Sequence, residues 1–250
     1  AAVKKEQVSL ADQAYEQIKR KILSLGFLPG QVISDFKLRE ELEMSRTPIK
    51  EALMRLESDG LILDLGKRGY EVRRITVQDI TDLFDARAGI ECAGLTIAMS
   101  RGMSEGTMKR LRSLNEEVRL AHEAGDYEGV FDHDSELHET LMEASGNRRL
   151  NEYYRMILLQ VRRIRLLTYF EKSLPSVAVQ FHAQMFDAIE QGRQQEALDL
   201  LRQHILDTKN DYLRVMEESI HDDADFAVLR YLIRNNLQVT ENGAHPADNA

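Results

Sequence analysis

The chain has little with which to cross-link itself or to enter a membrane. Its 250 residues contain one cysteine, Cys92. That excludes an intrachain disulfide, and its apolar neighbours make it a buried, inert packing group. No apolar run approaches the ~20 residues that span a bilayer, so no membrane partner is expected. The N-terminus is polar and lacks the apolar stretch of about seven residues that a secretory leader needs. A cytoplasmic location is therefore the default expectation. From Thr76 onward strand-like alternation and internal repeats are both missing.

A marked basic excess is missing too, since the net charge is −9. What is there is an ordinary globular composition, 43% apolar and 30% charged, on a chain long enough for two domains. The charge is unevenly shared. Residues 1–74 hold 14 Lys and Arg against 12 Asp and Glu, whereas residues 75–250 hold 19 against 30. The acidic excess belongs to the second part, and the first part has its cations placed locally. The expected fold class is mainly α. It comprises an N-terminal winged helix-turn-helix over 8–74, a C-terminal all-α helical bundle over 76–220, and an extra helix with a disordered tail over 221–250.

The stretch Ser45-Arg46-Thr47-Pro48-Ile49-Lys50-Glu51-Ala52-Leu53 is the most informative. Ser45 or Thr47 can cap a helix, and Pro48 is tolerated in its first turn. Ile49, Ala52, Leu53 and Leu56 make one face apolar, leaving Arg46, Thr47, Lys50, Met54 and Arg55 on the other. Such a free face suits phosphates and base edges in a DNA major groove; the alternative is an ordinary solvated face. Two helices precede it, about 11–25 and 36–43, separated by Pro29-Gly30. After Gly60 come two short strands, Leu61–Leu65 and Tyr70–Arg73, around Gly66-Lys67-Arg68-Gly69, a hairpin of the wing type.

Those residues together resemble the winged-helix domain of the GntR superfamily of bacterial transcription regulators. The Leu-Pro-Gly turn, the Ser-Arg-Thr-Pro-Ile-Lys-Glu-Ala-Leu core, the Leu-Glu-Ser-Asp-Gly-Leu-Ile exit and the Gly-Lys-Arg-Gly-Tyr wing stand in family order. The resemblance implies that Ser45, Arg46, Thr47 and Lys50 touch DNA and that the wing, Lys67, Arg68 and Gly69, reaches the minor groove. Many relatives have an arginine where this chain has Phe36. Lys37 or Arg39 takes over that phosphate contact, or the contact is lost. Modest basicity implies a homodimer on a pseudo-palindromic double-stranded operator.

Beyond Thr76 six helices are expected, about 76–101, 104–124, 126–145, 148–172, 175–191 and 194–219, joined by short connections as in an antiparallel bundle. A further amphipathic helix fits 222–237. Asp134 and His138 share one helical face at i, i+4 spacing, while His182 and His204 lie at the margins of apolar faces. Each histidine alone reads as a packed core residue. Three with an aspartate in one bundle are costly to bury unless they pair or ligate a metal. His122, His133 and His221 read as surface residues, and His245 lies in the tail.

Phe131 to Asn147 and the later run from Gln180 to His204 resemble the FCD effector domain of the FadR-type branch, with a six-helix bundle like the VanR-like subset. The resemblance implies Asp134, His138, His182 and His204 as ligands of one divalent transition metal per chain, zinc or nickel first, manganese or iron at lower affinity. Arg87, Arg162 and Arg165 are the candidates for holding a small organic acid effector by bidentate hydrogen bonds. Alternatively they snorkel to the surface or pair with Glu91 or Asp85. The expected function is that of a ligand-responsive transcription regulator, a repressor and not an enzyme. Its rivals are a regulator with a structural metal and an apolar ligand, and a metal-dependent hydrolase.

Overall fold

The computed structural model describes residues 8–168 and 175–220, with the side chains of 165–168, 175–177 and 215–220 outside that description. The chain divides into two compact units between Ile75 and Thr76.

In the first unit, α1 (Leu10–Leu23) begins at Ser9, whose hydroxyl accepts from the Asp12 amide at 3.0 Å. Ala14, Ile18 and Ile22 recur at helical spacing and are buried. They face α3 (Arg46–Ser58), which turns Ile49, Ala52, Leu53 and Leu56 inward. Between them α2 (Asp35–Glu41) buries Leu38. The α2–α3 turn closes as a Schellman motif. The Met44 amide reaches the Arg39 carbonyl and the Glu43 amide reaches that of Glu40, with Glu43 itself left-handed at φ 52°. Of the two candidate caps, Ser45 and Thr47, Ser45 stands at the N-cap of α3, but its side chain makes no cap hydrogen bond.

Among the described residues three strands complete this unit. Strand β3 (Tyr70–Val72) pairs antiparallel with both β2 (Ile62–Asp64) and β1 (Val32–Ile33). The β2–β3 hairpin is the wing expected from the sequence. Strand β1 is an addition, since two residues are too few for alternation to be read. It also explains Gly69, which has φ 98°. A Cβ there would lie 2.6 Å from the Ile33 carbonyl oxygen, so both the backbone angle and the close passage of β1 demand glycine.

The second unit contains six helices among the described residues: α4 (Val77–Arg101), α5 (Glu105–Ala124), α6 (Tyr127–Ala144), α7 (Arg148–Thr168), α8 (Pro175–Glu190) and α9 (Gln194–Ile220). The stretch expected to carry α7 on to residue 172, and the expected helix over 222–237, lie outside the described residues. Helix α4 opens with a capping box, in which Thr76 and Asp79 each bond the other's backbone amide. It packs on α6 and α7, while α5 packs on α6 and α8. Gly94 of α4 leaves room for the Met142 side chain of α6; a Cβ there would lie 2.5 Å from Met142 Sδ. Among the described residues no helix is long and apolar enough to cross a membrane.

Candidate metal centre and nucleic-acid interface

The buried stripe of α4 runs Ile80, Phe84, Arg87, Glu91, Leu95, Ala98, so two charged residues stand where the periodicity calls for apolar ones. Arg87 Nε donates to Glu91 Oε1 at 2.5 Å, with both side chains essentially inaccessible. Glu91 Oε2 lies 2.6 Å from His138 Nδ1 of α6. Burial alone would raise the Glu91 pKa, but the charge of Arg87 and the bond to His138 bring it down to about 2. For Arg87 burial opposes charge, and Glu91 more than reverses that, holding the guanidinium protonated.

Asp134, His138, His182 and His204 each present one ligand atom, all within 4.8 Å of one another. His138 Nε2 is 3.2 Å from His204 Nε2 and 3.8 Å from Asp134 Oδ1. His182 Nε2 is likewise 3.8 Å from Asp134 Oδ1. The His182 and His204 rings stand edge to face, 4.6 Å between centroids. Burial depresses both pKa values, that of His182 to about 4 despite the opposing pull of Asp134, and that of His204 well below its usual value. Both imidazoles are therefore neutral at physiological pH, the form that ligates a metal.

The cluster fits a divalent transition ion on grounds of its own. His182 Nε2 is buried and makes no hydrogen bond, a state rare for buried polar atoms unless something unrecorded satisfies them. Its neighbours are two further imidazole nitrogens and a carboxylate, a donor set that suits bonds of about 2.0–2.2 Å to such an ion. Arg87 Nη2 is also buried without a hydrogen bond. Arg162 is exposed and so stands away from the bundle interior. Its neighbour Arg163 is the buried one, bonded to Gln160, because Val161 and Ile164 set the inward face there. The side chain of Arg165 lies outside the described residues. Asp85 pairs with Lys209 rather than with Arg87, and the half-exposed His133 approaches Glu117 at 3.2 Å.

Sequence reading gave Glu91 only as a possible partner for Arg87 and passed over Asn115. The Asn115 amide accepts from His182 Nδ1 at 3.1 Å and donates to the Val179 carbonyl at 3.1 Å. The signal for Glu91 was a charged i, i+4 pair on an apolar stripe. For Asn115 there was none, because its partners lie on α8.

In the first unit, Lys37, Ser45, Arg46, Thr47, Lys50, Lys67 and Arg68 are all exposed. Ion pairs of this unit among the described residues include Lys19–Glu16, Lys21–Glu41, Arg55–Asp12 and Arg74–Glu71, and none of those seven residues takes part in these. Arg55 does not belong to the free face. Besides bonding Asp12, it lies over the Tyr15 ring, 4.2 Å from the centroid. Arg39 folds back over Phe36 at 5.5 Å.

A winged helix and an all-α bundle that encloses a buried acid–histidine cluster make up the two units of the chain. Residues 10–72 match the family model of bacterial regulatory proteins, gntR family, and residues 82–207 match that of the FCD domain. The chain belongs to the GntR family of transcription regulators and carries an FCD domain. It is 24% identical over 194 residues to the uncharacterized HTH-type transcriptional regulator YdhC of Bacillus subtilis (strain 168), covering 78% of this chain and 85% of that one. It is 24% identical over 208 residues to the HTH-type transcriptional repressor RspR of Escherichia coli (strain K12), covering 83% and 90%. The solved structure of E. coli McbR/YncC shares the fold, with a TM-score of 0.68, 19% identity, and coverage of 81% of this chain and 96% of that one. The family's winged helix implies DNA binding, and its FCD domain implies a small-molecule effector.

Proposed function

We propose that this protein is a metal-containing, acid-responsive repressor that acts as a homodimer on a pseudo-palindromic operator. The observation that carries the reading is the buried, unbonded Nε2 of His182 beside Asp134, His138 and His204. These four would hold one divalent ion, zinc or nickel before manganese or iron. When bound, such an ion supplies Lewis-acid positions at which a carboxylate can complete the shell. Arg87 contributes the second anchor, because its Nη2 is buried and unbonded and a guanidinium takes a carboxylate through parallel hydrogen bonds. A small organic acid is thus the effector class.

Ser45, Arg46, Thr47 and Lys50 would meet the major groove from the start of α3, with Lys37 and Arg39 serving phosphates and Lys67, Arg68 and Gly69 the minor groove. The acid must favour one arrangement of the paired DNA-binding units, since a ligand without that preference shifts nothing. The name of the repressor RspR supports the direction of control.

Elemental analysis of protein purified without chelator or metal-affinity resin tests this, together with melting temperature after added zinc, nickel or manganese. An ion in the wild type is expected, lost in His182→Ala and His204→Ala while operator binding persists. Chelation should lower the wild-type melting temperature, because an ion that binds only the folded state stabilises it by mass action. Less than roughly a tenth of an ion per chain, with no rise in melting temperature on adding metal, would overturn the reading.

A further inference from the structure

Each of two histidines in the cluster has its far nitrogen tied to a different kind of partner. His138 Nδ1 meets the Glu91 carboxylate at 2.6 Å. A carboxylate with both oxygens engaged, one by Arg87 Nε, can only accept, so His138 Nδ1 carries the proton and Nε2 is left with its lone pair. His182 Nδ1 meets Asn115 Oδ1 at 3.1 Å. That amide cannot be reversed, because its nitrogen donates to the Val179 carbonyl, and a carbonyl only accepts. His182 Nδ1 is therefore protonated as well, and its Nε2 lone pair is the unbonded buried atom. Two independent devices, one on α4 and one on α5, reach the same result.

We infer that Glu91 and Asn115 are positioning residues that lock His138 and His182 as Nδ1–H tautomers, so that both Nε2 lone pairs meet at one point before any ion arrives. The inference rests on the metal reading for its purpose but not for its geometry. The third imidazole behaves differently. With His138 Nε2 unprotonated, the 3.2 Å contact to His204 Nε2 requires the proton on His204. Among the described residues no hydrogen bond to His204 Nδ1 holds it in either form. His204 is thus the ligand that must move its proton from Nε2 to Nδ1 when an ion binds, and the other two need no change. Orienting partners of this kind typically govern metal affinity by about 10–100-fold.

Nitrogen NMR of the histidine side chains in the metal-free full chain reads the tautomers directly, and zinc titration reads the consequence. Nδ1–H is expected at His138 and His182, and Nε2–H at His204. Asn115→Leu should release His182 to a tautomer mixture and weaken zinc about 10–100-fold. Asn115→Asp restores an acceptor and should recover most of that loss, which a merely structural role would not do. Because Glu91 alone cannot be neutralised without stranding Arg87, the double variant Arg87→Met with Glu91→Gln removes both charges while keeping volume. Its amide still accepts from Nδ1–H, so the tautomer should persist with weaker zinc binding. Nε2–H at His138 or His182 in the wild type would overturn the inference, as would Asn115→Leu with unchanged tautomers and unchanged zinc affinity. A wild type with the expected tautomers and no zinc binding would sink the metal reading alone.

Discussion

The two units of this chain keep their candidate functional groups under opposite conditions. In the winged helix, Arg46, Lys50, Lys67 and Arg68 are exposed and, among the described residues, stand outside the ion pairs Lys19–Glu16, Lys21–Glu41, Arg55–Asp12 and Arg74–Glu71. In the bundle, the buried Arg87, Glu91 and His138 are bonded to one another across α4 and α6, and the buried His182 of α8 is bonded to Asn115 of α5. An exposed cation in water costs the fold almost nothing, so it can be kept free for a partner. A buried charge must be satisfied inside the protein, so the bundle has to build its site and its core from the same residues. The difference teaches that substitutions in the first unit should separate binding from stability, and that those in the second should not.

The strongest way to sharpen that contrast is to remove Glu91. Glu91→Ala leaves Arg87 buried without its counter-charge and His138 without its orienting acceptor. Breaking a buried pair from one side costs about 3–5 kcal/mol. Urea unfolding of the metal-free protein should show the bundle transition moved to lower denaturant, with the winged-helix amides keeping their hydrogen-exchange protection. A variant as stable as the wild type would mean that the pair is solvated, and the contrast would fail.

Acid is the next lever. The five histidines among the described residues all stand in the bundle, so their titration acts on that unit. His182 stays neutral in the folded protein down to about pH 4, whereas an unfolded histidine takes its proton near 6.5. Above that value neither state binds the proton and nothing is contributed. As pH falls from 6.5 towards 4 the unfolded chain gains, and the metal-free bundle should lose on the order of 3 kcal/mol from this residue. His204 acts in the same direction. Glu91 extends the loss lower, since its stabilisation is present above about 4.5 and disappears as pH falls towards 2. Urea midpoints of chelated protein at pH 7.5, 6 and 5 measure this, and a flat profile would contradict the burial of these imidazoles.

How much of this was legible in the sequence follows from the same division. The helices of both units declared themselves through apolar spacing and glycine stops, and the wing through its glycines. Asp134 and His138 could be paired because they lie one turn apart. Joining them to His182 and His204 needed the family pattern, because tertiary packing alone brings α6, α8 and α9 together. Asn115 was illegible, since an asparagine on a helix carries no trace of the carbonyl it will meet on another. Arg55 was misread because its periodicity places it on the free face, while Asp12 and Tyr15 of α1, distant in sequence, claim it. Arg162 is exposed and Arg163 buried, a step of one residue that on a helix turns a side chain by about 100°.

In the winged helix the expected effects are on binding. Arg46→Ala should cost about 1–3 kcal/mol of operator affinity if its guanidinium reads a base edge. Lys50→Ala should weaken binding and lower the salt slope by about one if it meets a phosphate. Operator titrations at two salt concentrations measure both, and neither variant should move the urea midpoint. Unchanged affinity in both would remove α3 from the interface, and a stability loss would show that these cations are structural after all.

The smallest effect makes the finest comparison, between two helix caps. Thr76 accepts from the Asp79 amide at 3.1 Å and Asp79 returns a bond at 2.8 Å to the Thr76 amide, so Thr76→Ala should cost the bundle about 1 kcal/mol. Ser45 holds the same position on α3 with its hydroxyl unused. Ser45→Ala should therefore change stability by less than about 0.5 kcal/mol, well short of what a working cap is worth. A hydroxyl left free at a helix N-terminus, beside unsatisfied backbone amides, is suited to a phosphate. The operator affinity of Ser45→Ala should fall even though its fold does not. If instead the variant loses as much stability as Thr76→Ala and no affinity, Ser45 is an ordinary cap, and the division between the two units does not extend to their helix ends.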